Sequence, residues 1–151
     1  MPSGETLIAV ARPSTGAGVR QNPLLFHPYT PPNVPDVAWN MPLLSDGATP
    51  VAAYQTSMRL GGQAKHFTST LGVIAGGWNV VATDSRYRIS DTVITHTVNG
   101  LVTDVFTPTG DIFFNAAAVT LTIGYDPATQ QYFYGDIDEL ILDPRAISGG
   151  N

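Results

Sequence analysis

The chain has 151 residues, 43% hydrophobic and only 13% charged, with twelve acids against seven lysines and arginines and no cysteine. That suffices for one domain, residues 1–151, burying about two-thirds of the surface its unfolded form would expose; without cysteine, disulfides, zinc–thiolate centres and thiol catalysis are excluded. With a net charge of −5 and Lys65 as the only lysine, no basic stripe can neutralise a row of phosphates, so nucleic acid is not an expected partner.

No apolar run approaches the length of a bilayer span, so no membrane partner is expected either. The amino terminus lacks the basic and apolar regions of a secretory signal. Few charges leave the solvent face to Thr, Ser, Asn, Gln and Gly, which suits an all-β surface.

In chain order, short alternating or apolar runs predict strands at 6–11, 24–27, 37–44, 51–58, 65–69, 78–83, 92–98, 101–106, 119–123 and 134–142, and nowhere does a 3.6-residue rhythm persist for three turns. Nine of the twelve prolines fall in the first fifty residues. Pro28, Pro31, Pro32 and Pro35 crowd 27–36 and predict an extended loop, because proline cannot donate to a ladder. Tyr29 and Trp39, beside that loop, are expected to be exposed. Trp78 opens a strand and is read as a core aromatic on the face of Val80 and Ala82. Asn99-Gly100, between two β-branched runs, predicts a two-residue hairpin turn. Strands at this spacing without helices between them predict an antiparallel two-sheet β-sandwich, a jelly roll.

Four landmarks follow one another: Trp78-Asn79-Val80-Val81-Ala82-Thr83, Val98-Asn99-Gly100, Leu121-Thr122-Ile123-Gly124, and Gly135-x-Ile137-Asp138-Glu139 followed by Arg145-Ala146-Ile147-Ser148. In this the chain resembles the concanavalin A-like lectin/glucanase superfamily, in its laminin G-type jelly roll. Members usually begin with a further strand upstream of the segment matching Thr6 to Ala11, and here five residues precede it. The resemblance therefore implies that the family's first strand is missing. The edge left open would pair with a second copy of the chain or with another protein of an assembly.

Glucanase-type enzymes with this fold carry three acids on one face of one strand. Strict alternation over Asp136-Ile137-Asp138-Glu139-Leu140 puts Asp136, Asp138 and Leu140 on one side and Glu139 on the other, so the third carboxylate is missing. With only two glutamates, Glu5 and Glu139, the expectation is a noncatalytic protein. Its carboxy-terminal ribbon would run inside the sandwich, with acids that fasten turn amides or an arginine such as Arg145.

His27, His66 and His96 lack metal-ligand spacing. Relatives of this fold hold calcium at the sandwich edge, and Asp46, Asp126, Asp136 and Asp138 are the candidate ligands, although no calcium-loop pattern surrounds them; no cofactor is implied. For a sugar, the candidate aromatic platforms are Tyr29, Trp39, Tyr125, Tyr132 and Tyr134. Against this stands a purely structural role for Tyr132-Phe133-Tyr134, with alternate rings in and out. The resulting expectation is a structural or adhesive module on a bacteriophage particle, a capsid decoration or head-fibre protein, with a virion protein, a second copy or a cell-surface glycan as partner. A free carbohydrate-binding lectin is the alternative, and a glycoside hydrolase the third reading.

Overall fold

The computed structural model describes residues 4–15, 21–29, 34–44, 51–60, 63–86, 92–109, 121–127 and 129–143, with the backbone alone at 26–29 and 34–36. They form twelve strands: β1 (Gly4–Pro13), β2 (Pro23–Tyr29), β3 (Val34–Asn40), β4 (Tyr54–Leu60), β5 (Gln63–Ser69), β6 (Asn79–Arg86), β7 (Val93–Val98), β8 (Leu101–Phe106), β9 (Thr122–Ile123), β10 (Tyr125–Asp126), β11 (Gln131–Tyr132) and β12 (Gly135–Asp143). One five-stranded sheet runs β12-β1-β6-β7-β8 and the other β5-β4-β3-β2-β9, with β10-β11 a separate ribbon. Every pairing is antiparallel. The two sheets enclose Leu7, Ala9, Ala11, Val81, Ile94 and Val98 from one side and Leu24, Val37, Trp39, Met41, Tyr54 and Met58 from the other. This is the two-sheet sandwich that the alternation predicts. Among the described residues no helix is long and apolar enough to cross a membrane.

The β7–β8 hairpin closes with Val98 opposite Leu101. Its two turn residues, Asn99 (φ 50°) and Gly100 (φ 84°), are both left-handed, as a two-residue turn matched to the strand twist demands.

The proline-rich stretch does not behave as predicted. Pro28 lies in β2 opposite Pro35 in β3, and only 30–33 between the strands fall outside the described residues. The second neighbour of β2 reaches only Leu25 and Phe26, and that of β3 only positions 37–40. Where the prolines meet, each strand has a ladder on one side alone among the described residues, so a missing N–H breaks no second ladder there.

The phase of β6 is also the reverse of the prediction. Asn79, Val81, Thr83 and Ser85 point inward, while Val80 and Trp78, just ahead of the strand, are about half exposed. Trp78 is therefore not a core aromatic.

At the carboxy-terminal end, β12 is the outermost strand of its sheet among the described residues, not an inner one. Its pairing with β1 breaks step: Val10 faces Glu139 and Ala11 faces Ile137, leaving Asp138 as the extra residue of a bulge. The bulge resets the alternation. Ile137, Leu140 and Leu142 pack against the core, so Leu140 does not share the face of Asp136, and Asp136, Asp138 and Glu139 are all exposed. By contrast β1, the segment beside which an open edge was sought, is paired on both sides. The outer strands among the described residues are β12, β8, β5 and β9.

Candidate functional site

Among the described residues, Ser57 meets His66 Nδ1 at 2.7 Å and Gln55 at 3.3 Å across β4 and β5, and two larger polar clusters bring more such side chains together. The first lies where β1 ends. In β1 the alternation turns Leu7, Ala9 and Ala11 inward and Arg12 outward. Arg12 stands directly across from Asp136 of β12. On its other flank, Ala11 faces Asn79, so the next position brings Trp78 alongside, with the guanidinium carbon 5.1 Å from the indole centroid. The row Asp136, Arg12, Trp78 thus follows from register on three adjacent strands.

Arg12 donates from Nε (3.0 Å) and Nη2 (2.5 Å) to the same oxygen of Asp136, Oδ2. Oδ1 of the carboxylate and Nη1 of the guanidinium take no part in these bonds.

Backbone and amide contacts fix the surroundings. The N–H of Ser14 donates to the Tyr134 carbonyl (2.8 Å) and that of Gly76 to the Pro13 carbonyl (2.9 Å). Tyr134 is held in turn by its own N–H donating to Asn22 Oδ1 (2.7 Å). The loop that carries Gly76 is pinned by Asn79, whose Oδ1 accepts from Ile74 N–H and whose Nδ2 donates to the carbonyls of Ile74 and Gly77. Asn99 ties the same loop to the hairpin turn by donating to the Gly72 carbonyl and to Asn79. Gly135 (φ 147°) opens β12 where a Cβ would collide with the Arg12 carbonyl oxygen. Only glycine lets the two strands approach here.

Arg12, Ser14, Thr15, Gly76 and Tyr134 line an open cleft of about 270 Å³. It offers an aromatic ring, two hydroxyl side chains and the edge of an ion pair. Its size falls just under the roughly 300–1,000 Å³ of drug-sized ligand sites, room for one sugar ring.

The second cluster is sealed between the sheets. Tyr54, Thr56 and Ser69 of one sheet meet Thr83 and His96 of the other, all buried. Thr83 donates to Tyr54 Oη at 2.7 Å. Its one proton is thereby committed, so at the 3.0 Å contact Thr56 donates to Thr83. Thr56 then accepts from His96 Nε2 (2.9 Å), which leaves Nδ1 as the acceptor for the Ser69 hydroxyl (2.8 Å). His96 is thus fixed as the neutral tautomer protonated on Nε2. Burial lowers its pKa from 6.5 to about 4, against the opposing pull of Asp104, and burial raises that of Tyr54. A hydroxyl beside an imidazole is the geometry of an activated nucleophile. This one has no path to solvent, and all four bonds run from sheet to sheet.

Of the predicted sugar platforms, Tyr134 lines the cleft. Tyr132 is exposed and stacks on Tyr125 across the β10–β11 ribbon, ring centroids 4.6 Å apart. Phe133 between them packs on the core, so the rings do alternate in and out. Trp39, at 1% exposure, is a core residue and offers no face to a ligand; it sits in β3 between the ladders to β2 and β4, inside the sandwich. The side chain of Tyr29 and the whole of Asp46 lie outside the described residues. Among the predicted calcium ligands, Asp136 is engaged by Arg12, and Asp126 accepts from Thr129 Oγ1 at 2.7 Å. Asp138 is exposed on the bulge. Among the described residues no three acidic or imidazole groups gather into a cation site. Arg12, Asn22, Ser14 and Thr15 were not marked as site residues in the sequence, and Gly76 read only as part of a Gly-Gly turn signal.

No family model matches the sequence, and none of the curated proteins does. Solved structures do share the fold. The chain superposes on the native heptameric SAP-like pentraxin from Limulus polyphemus with a TM-score of 0.66 and 15% identity, over 97% of this chain and 66% of the pentraxin chain. On the CBM40 of the Ruminococcus gnavus IT-sialidase the TM-score is 0.67 with 14% identity, over 97% of this chain and 79% of that one. The same CBM40 bound to α2,3-sialyllactose gives 0.67 and 14%, over 97% and 78%. The chain therefore spans just under two thirds of the pentraxin and about four fifths of the CBM40. At these identities the likeness establishes the architecture alone, a jelly-roll β-sandwich.

Proposed function

We propose that this chain is a noncatalytic, lectin-like binding module that takes a carbohydrate in the cleft beside Arg12. The observation that carries the reading is the convergence of Arg12, Ser14, Thr15 and Tyr134 on one pocket of monosaccharide size, with Asp136 paired to Arg12 beside it. An aromatic face for the apolar side of a sugar, with polar groups for its hydroxyls, is what such recognition requires. A CBM40 of this fold is bound to sialyllactose, which supports the ligand class and says nothing of which sugar.

Catalysis is disfavoured by the placement of the described acids: the β12 carboxylates are spread over both sides of a bulge, and Asp136 is engaged by Arg12. A glycan array probed with the labelled chain tests the reading. Binding of defined glycans that disappears in Tyr134→Ala is the expected result, and a blank array, or one indifferent to Tyr134→Ala, overturns it.

The setting we propose is the surface of a bacteriophage particle, where the chain acts as a structural or adhesive subunit of the laminin G type. It rests on the cysteine-free, lysine-poor composition and on the outer strands of both sheets, suited to contact with a second copy or another virion protein. Mass spectrometry of purified particles checks it, and absence of the chain from them refutes it.

A further inference from the structure

The cleft is bordered by charges, and their arrangement bears on what class of sugar it admits. We infer that the cleft selects an uncharged sugar through adjacent hydroxyls, read by the Arg12–Asp136 pair as one donor and one acceptor, and that it rejects acidic sugars; this rests on the carbohydrate reading above.

The ion pair leaves one donor and one acceptor unused. Both Arg12 bonds end on Oδ2 of Asp136, so the pair still offers Nη1 as a donor and Oδ1 as an acceptor. Both side chains are about half exposed, 45% and 53%, so these atoms can meet a ligand. Neighbouring hydroxyls on a pyranose ring supply the complement, one accepting from the guanidinium and the other donating to the carboxylate. Each bond has a charged partner on the protein side and is correspondingly stronger than a neutral one, while the ligand carries no charge.

An acidic sugar meets the opposite situation. Its carboxylate would seek a bidentate edge of the guanidinium, the geometry that arginine offers anions; Asp136 already occupies the Nε–Nη2 edge and offsets the charge that the Nη1 edge would present. Strand register sets the Asp136 backbone across from Arg12, and Gly135 brings the two strands together, so the carboxylate stays within reach of the guanidinium. Arg12 is confined from its other side by Trp78. Beyond Asp136 the same strand exposes Asp138 and Glu139, so an approaching anion faces one guanidinium and three carboxylates in a chain of net charge −5.

The test is saturation-transfer NMR and calorimetry of the purified chain with methyl mannoside, methyl galactoside and methyl glucoside as uncharged probes, and sialyllactose and glucuronic acid as acidic ones. Asp136→Asn is the diagnostic variant, since it keeps the shape while removing the negative charge that offsets Arg12 and repels an anion. Arg12→Met removes the donor, and thermal melts confirm that each variant is folded. The expected result is saturation with an uncharged sugar, no saturation with the acidic ones, a loss of at least tenfold in affinity in both variants, and acidic-sugar binding gained in Asp136→Asn. A wild-type preference for sialyllactose or glucuronic acid that Tyr134→Ala abolishes overturns this inference while the carbohydrate site stands. Uncharged-sugar binding that neither variant weakens also overturns it. No binding of either kind, on these probes and on the array, removes the inference together with the reading beneath it.

Discussion

The polar seam between the sheets and the polar corner at the end of β1 contain much the same chemistry, hydroxyls, an aromatic ring and a basic nitrogen, in opposite surroundings. In the seam every hydroxyl is enclosed and four hydrogen bonds join Tyr54, Thr56 and Ser69 to Thr83 and His96. At the corner the donors and acceptors are half exposed and only partly used. Buried polar groups are stabilising only when hydrogen-bonded, so a network closed between the two sheets is scaffolding. An incomplete one at the surface has capacity left for a ligand. A hydroxyl–imidazole pair is therefore not evidence of catalysis until its access is known.

The strongest way to break this contrast is to empty the seam. His96→Ala removes a buried ring packed against Tyr54 and Phe106, with centroids 4.9 and 5.2 Å away. It also leaves the Ser69 hydroxyl without its acceptor and Thr56 without the donor it accepts from. Cavity and lost hydrogen bonds together cost about 3–5 kcal/mol, read as a lowered urea midpoint at unchanged slope. A change below about 1 kcal/mol would mean that the seam does not join the sheets.

Acid probes the same group more gently. With a folded pKa near 4 against 6.5 unfolded, His96 stays neutral in the native state while the unfolded chain takes up a proton. Its contribution is intact above pH 6.5 and is lost as the pH falls toward 4. Over that window the loss approaches about 3 kcal/mol. Asp104, directly across from His96 on β8, is the one titratable group pulling the other way. Tyr54, its pKa raised by burial, stays protonated throughout. Carboxylates elsewhere titrate in wild type and in His96→Gln alike, so the difference between the two proteins isolates the histidine. Equal acid sensitivity in both would place its imidazole in contact with water.

The contrast also explains what could be read from the residues alone. Asn99-Gly100 and most strands were legible because turn chemistry and alternation are local signals. Trp39, Trp78 and Leu140 were misplaced because their facing depends on events outside their own segment: a proline hairpin that remains a ladder, the phase at which β6 enters its sheet, and a bulge opposite Val10 and Ala11. Tyr134 could be named as an aromatic platform. Its partners could not, since Arg12 and Asp136 lie 124 residues apart and meet only through the register that the bulge sets. The seam gave no signal at all, because Thr56, Ser69 and Thr83 read as ordinary polar strand residues until the two sheets are superposed.

The smallest effect on stability sharpens the contrast most. Arg12→Met removes a well-aligned ion pair and the stacking on Trp78, yet both charged side chains are about half solvated in the native state. The unfolded chain solvates them fully, so little is gained by folding. Exposed pairs of this kind contribute about 0–1 kcal/mol, and the methionine retains much of the apolar stem against the indole. The expected shift in urea stability is therefore below about 1 kcal/mol, beside the several lost in His96→Ala. A destabilisation as large as that of the seam would assign Arg12 to the framework that closes β12 onto β1. Near-neutral stability leaves its alignment between Asp136 and Trp78 without a structural cause, which is the condition under which a surface ion pair is best explained by what it binds.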